Sequence, residues 1–203
     1  MSEALKNDIA YMKALAEDGG RQPIRGGIAL FWAGLCFGAA SLMHYGFVTG
    51  VVPMPTPWLI SVSWLAAGAI YALLTIVSIR ATIARYGSGG AMNRLFGAVW
   101  SMTGGSIFVI AMCLLMAGSR LGHTDILIAG LAPTILVLYG VAWWVSAVIS
   151  GQNWLKWVCF GTFGGAFLTA FFAHQPEQFL VYAVCLILFA TLPGLKLMSA
   201  ERG

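Results

Sequence analysis

The sequence predicts an all-α integral membrane bundle of six transmembrane helices, paired as three hairpins and preceded by a short amphipathic cytoplasmic helix. Three observations predict it: a near absence of charge, six long apolar runs, and basic residues gathered on one side of those runs. Of 203 residues, 60% are hydrophobic and 9% charged, with a mean hydropathy of +0.86. Soluble domains carry about 25% charged residues, so this chain cannot cover a water-facing surface and lipid must solvate most of it.

Crossing a hydrocarbon layer of about 30 Å takes about 20 apolar residues, within a range of about 17–25. Six runs qualify: Gly27–Val48, Trp58–Ile79, Leu95–Ala117, Ile126–Ile149, Trp157–Ala173 and Phe179–Leu195. None contains Asp, Glu, Lys or Arg. Pro53, Pro55 and Pro57 break the chain after the first run, and His174–Gln178 breaks it before the last. A transmembrane barrel would need alternating polarity, and these runs are continuously apolar, so helices are expected.

Cytoplasmic loops are enriched in Lys and Arg. With the N-terminus inside, Lys6, Lys13, Arg21, Arg25, Arg80, Arg85, Arg94, Lys156, Lys196 and Arg202 all fall on the cytoplasmic side, leaving Arg120 outside. Both termini are therefore expected in the cytoplasm. The net charge of +4 belongs to this asymmetry and does not indicate a nucleic-acid partner.

The organisation expected is a cytoplasmic helix and linker over 1–25, a transmembrane domain over 26–198 and a tail over 199–203. Leu5, Ile9, Met12 and Ala16 recur at helical spacing on one face, and Gly19-Gly20 supplies a stop. Glu3, Asp8, Glu17 and Asp18 offset the lysines, so contact with protein suits this helix nearly as well as contact with anionic lipid. The same mixed polarity is unlike a signal peptide, and the first apolar run is expected to be retained. Cys36, Cys113, Cys159 and Cys185 lie singly inside apolar runs, without the close spacing of metal or redox motifs, and read as packing residues.

Gly34-xxx-Gly38, Gly46-xxx-Gly50 and Gly161-xxx-Gly165 match the small-residue spacing that lets membrane helices approach closely. Gly104 and Gly105, within Trp100–Ser106, suggest the same for the third span. Pro133–Gly140 resembles Pro176–Ala183, which hints that the second and third hairpins are related.

In Asp8–Glu17, Gly151–Leu155 and Leu192–Met198 the chain resembles a type of short six-helix bacterial inner-membrane protein to which no activity is attached. The resemblance implies a bacterial inner membrane and no chemistry.

Catalysis needs a nucleophile and a base, or an acid–base pair, within hydrogen-bond reach. No such constellation is legible, nor a GxSxG elbow, an HExxH pair or a phosphate-binding loop, so no enzyme and no cofactor are expected. One group of residues carries possible chemistry. His44, His123, Asp125, His174 and Glu177 all map to the outer face, and imidazole with carboxylate suits a transition metal or a proton-linked role. Paired axial histidines for haem are missing, since only His44 lies within a span. Ion-coupled transport lacks the intramembrane ionisable residues that mark such paths. A path for an uncharged solute could be lined by Ser101, Thr103, Ser106, Thr134 and Tyr139, residues that also suit bonds between helices. Trp32, Trp100, Trp143, Trp144, Trp154 and Trp157 gather toward the inner side, as an aromatic belt would, or as a surface for lipid or a partner.

The function expected is a non-enzymatic membrane component, either an accessory or regulatory subunit or a homo-oligomer. A small transporter or channel for an uncharged or lipid-like solute is the alternative, and an outer-face metal-binding or redox protein the second. Expected partners are membrane lipids and either a second copy or another membrane protein.

Overall fold

The computed structural model describes residues 24–87 and 90–201. The expected amphipathic helix lies outside these residues. The described chain is helical and contains no strand. Its elements are α1 (Gly27–Thr49), α2 (Trp58–Tyr86), α3 (Ala91–Leu121), a short α4 (Thr124–Ala129), α5 (Leu131–Ser150), α6 (Trp154–Phe171) and α7 (Glu177–Leu186). A π-helical turn (Ile187–Thr191) then leads into α8 (Leu192–Ala200).

Five stretches are long and apolar enough to cross a membrane: Gly27–Thr49, Trp58–Arg85, Ala91–Leu121, Thr124–Ser150 and Glu177–Ala200. The remaining run forms α6, which has 18 residues. Lys156 in its first turn, together with Gly161, Gly164 and Gly165, leaves it less apolar than the five.

Two expected spans are not single α-helices, and in each a proline is the reason. Proline has no N–H to give to the carbonyl four residues back, and in an apolar layer an unpaired carbonyl costs several kcal/mol. Pro133 orphans the carbonyl of Ala129, and there the helix divides at Gly130 into α4 and α5. The Gln178 amide, 3% exposed, donates to Ala129 O at 2.7 Å and to Thr169 O at 3.1 Å. Pro193 likewise orphans the carbonyl of Phe189, inside the π-helical turn. The indole Nε1 of Trp143, a side chain wholly buried, donates to it at 2.9 Å. In both cases a side chain from another helix replaces the missing donor.

Packing follows a chain of neighbours. α6 lies along α5 and touches α7, while α3 packs chiefly on α5 and α4. α1 packs against the last span (α7, the π-turn and α8), and α2 packs chiefly on α1. The core runs through Leu136, Trp143, Leu155, Cys159 and Leu186, between α5, α6 and α7.

Glycines set the crossing of α1 with the last span. A Cβ on Gly194 would stand 2.6 Å from Phe31 N, and one on Gly27 2.5 Å from Gly194 O. One on Gly34 would overlap Thr191 Oγ1 and stand 2.8 Å from Leu186 O. Gly161 meets the ring of Phe189, Gly140 that of Phe163, and Gly165 lies against Cys185 Sγ. A Cβ on Gly38 would meet only ordinary contacts, Ala183 O at 3.8 Å being the nearest. Gly104 and Gly105 differ: a Cβ on either meets nothing within 4 Å, so the contact expected there is not made among the described residues.

The tryptophans also depart from a simple belt. Trp32 Nε1 donates to Ser78 Oγ (3.2 Å), joining α1 to α2, and Trp100 Nε1 donates to Ser146 Oγ (3.2 Å), joining α3 to α5. With Trp143 they tie helices together, because a buried indole N–H must find a partner. Trp144 and Trp157 are exposed.

Candidate amphiphile-binding cleft

α2 and α3 are consecutive, yet α2 packs chiefly on α1 and α3 chiefly on α5 and α4. Between them and the start of α1 lies a cleft of about 300 Å³. This is at the small end of the range for ligand pockets, about 300–1,000 Å³. Its walls are largely apolar, with Ile28 and Ala29 from α1, Ile79 and Ile83 from α2, and Phe96 and Trp100 from α3.

The polar groups in the wall are few. Arg25 sits at the mouth beside Gly87 and Asn93. Its backbone N–H donates to Asn93 Oδ1 at 2.7 Å, and its Nη1 reaches Gly87 O at 3.5 Å. The start of α1 is thereby tied to the start of α3 and the end of α2. Gly26 is needed at this knot: its φ of 132° favours glycine, and a Cβ would stand 3.2 Å from the Phe96 ring. Its N–H donates to Glu201 Oε1 at 3.1 Å. No carboxylate lines the cleft among the described residues.

Deeper in, Tyr71, Thr75, Thr82 and Ser101 face the cavity. Thr82 donates back to Ser78 O at 2.9 Å and Ser101 to Ala98 O at 3.0 Å. Thr75 Oγ1 is shielded from solvent, with the Tyr71 hydroxyl as its polar neighbour among the described residues. It lies twelve positions along α2 from Gly87, roughly 18 Å at 1.5 Å per residue.

The residues expected to form an outer-face cluster do share one end of the bundle, opposite Arg25, but they do not converge. His44 Nδ1 accepts from Trp64 Nε1 at 3.1 Å, and its ring stacks on Phe179 with centroids 3.7 Å apart. One nitrogen and one face of His44 are therefore committed to packing α1 on α2 and α7. His174 Nε2 and Asp125 Oδ2 stand 4.0 Å apart, both exposed. His123 and Glu177 are exposed as well. Among the described residues no three His, Cys, Asp or Glu side chains come close enough to share a metal ion.

The expected solute path is not assembled either. Thr103 and Thr134 bond to carbonyls of their own chain segment, Val99 O and Gly130 O, and Tyr139 is buried edge-on to Trp100. Ser101 alone of that set lines the cleft. No known protein family, curated protein or solved structure matches the chain.

Proposed function

We propose that this chain is a non-enzymatic integral membrane protein that holds a lipid-like molecule in the cleft between α1, α2 and α3. The observation that carries the reading is the cleft itself, open between α1, α2 and α3, with largely apolar walls and the hydroxyl-bearing Tyr71, Thr75, Thr82 and Ser101 among its lining residues. The accessory or carrier roles both follow from reversible occupancy.

Native mass spectrometry of protein extracted in mild detergent tests this. The parent should retain one lipid-sized adduct. Gly97→Phe, which points a ring into space where a Cβ meets nothing, should lose it. Thr75→Val, which removes a hydroxyl from the cleft lining, should also retain less. A parent without an adduct, or a Gly97→Phe protein that keeps it, overturns the cleft reading.

The proposal includes six spans, both termini cytoplasmic, in a bacterial inner membrane. Supporting α6 as a span is its position between α5 and α7. A helix flanked by protein needs less hydropathy than one ringed by lipid, and 18 residues reach about 27 Å. Reporters fused after Arg85, Gln152 and Gly203 should read cytoplasmic, and those after Pro55, Gly122 and Gln175 external. A cytoplasmic reading after Gln175 would remove α6 from the spans.

A further inference from the structure

We infer that His44 is a proton-operated latch between α1 and α2. Neutral, it holds the Trp64 end of α2 against α1; protonated, it lets that end go while staying seated on α7. The inference goes beyond the cleft reading and does not depend on it.

Hydrogen-bond polarity is the argument. Trp64 Nε1 donates to His44 Nδ1 at 3.1 Å, and an indole N–H can only donate. A neutral imidazole keeps one bare nitrogen to accept, whereas the protonated ring carries N–H on both. A proton added at Nδ1 therefore sets two donors face to face and breaks the bond. The other contact of the ring responds in the opposite sense. It stacks on Phe179 with centroids 3.7 Å apart, and a cation over an aromatic face is attracted to it. Protonation thus parts α1 from α2 and leaves α1 on α7.

The surroundings make this contact decisive for α2. That helix packs chiefly on α1, and an indole bond joins the two near either end: Trp64 to His44, and Trp32 to Ser78. Only the first has an acceptor that titrates near neutral pH, so the second serves as the hinge. Between them Phe37 lies against Trp64 and Tyr71, contacts that a proton leaves alone. Protons can reach the ring, because His44 is partly exposed and close to Thr49, where α1 ends. The elements packed on this part of α1 bring few other titratable groups: Tyr71 from α2, and Glu177, Tyr182 and Cys185 from α7, beside Tyr45 of α1 itself. Glu177 is the one carboxylate among them.

The test follows the tryptophan indole N–H resonances of the nitrogen-labelled full chain in detergent, from about pH 7.5 down to about pH 4.5. The Trp64 resonance, identified by its loss in Trp64→Phe, should shift along a one-proton curve. Those of Trp32, Trp100 and Trp143, whose acceptors are hydroxyl or carbonyl oxygens, should stay in place. In His44→Gln the Trp64 resonance should stay in place as well. Hydrogen exchange at about pH 5 then reads the release: amides in the first turns of α2 should exchange at least about threefold faster in the parent than in His44→Gln, with α7 unchanged. A Trp64 resonance that does not move in the parent, or moves equally in His44→Gln, overturns the latch, and so does a titration without faster exchange in α2. If His44→Gln folds poorly, the parent alone decides, with its exchange at about pH 5 set against that at about pH 7.5 after correction for the intrinsic rate.

Discussion

Trp143→Phe is expected to destabilise the protein by about 3 kcal/mol, read as a loss of thermal stability in detergent. Part of this is volume: Trp143 is wholly buried, and shrinking a packed core side chain costs about 1–2 kcal/mol at this size of change. The rest is the carbonyl of Phe189, left without its donor at 2.9 Å, at about 1–3 kcal/mol. The two parts can be separated, because the carbonyl is orphaned only by Pro193. In a Pro193→Ala background the new backbone N–H can serve Phe189, so Trp143→Phe should cost about 1–2 kcal/mol less than in the parent. Equal costs in both backgrounds would mean that the indole bond contributes nothing and that volume alone explains the loss.

Gly34→Ala is the second large effect, about 2–3 kcal/mol, with Gly34→Leu preventing the bundle from closing. The added Cβ at Gly34 would overlap Thr191 and crowd the Leu186 carbonyl, and backbone cannot retreat as a flexible side chain does. Gly104→Leu makes the contrast. It adds a larger side chain to α3 where a Cβ meets nothing, and its stability should stay within about 0.5 kcal/mol of the parent. A Gly104→Leu loss as large as that of Gly34→Ala would show that α3 contacts something beyond the described residues.

The helices were legible in the sequence because their signal is local. The first apolar run was expected over Gly27–Val48 and α1 spans Gly27–Thr49; Trp58 starts both the second run and α2. α2 and α3 extend past their apolar runs at the basic ends, since Arg80, Arg85 and Arg94 end the apolar stretches while helical hydrogen bonding continues through them to Tyr86 and back to Ala91. The π-turn gave no apolar signal, but Pro193 did: any proline inside an apolar run demands a donor for the carbonyl four residues back. The same reasoning at Pro133 could have found Gln178, which sits in a polar string that reads as loop although its side chain turns inward.

The site was far less legible. The histidine group was inferred from sharing a membrane face, but a face is wide, and sequence does not show that His44 is taken by Trp64 and Phe179. The cleft arises because α2 follows α1 while α3 follows α5, a property of which helices pair. Periodicity and hydropathy describe one helix at a time and do not contain it. Gly26 and Gly97 gave no hint beyond being glycines.

The contact between α1 and the last span has a consequence for how the chain is made. Gly26 and Glu201, 175 positions apart, meet at one knot, and Gly27 and Gly34 of α1 are covered by the last span, at Gly194, Leu197, Thr191 and Leu186. Ribosomes add about 5–20 residues per second, so the first helix waits roughly ten to thirty seconds for its partner to be synthesised. During that interval its narrow glycine face lies open to any passing helix or lipid, and every later hairpin is made before it is covered. The order of synthesis is thus the reverse of the order of commitment: the earliest helix is among the last to find its place, and the final two dozen residues decide whether the bundle closes.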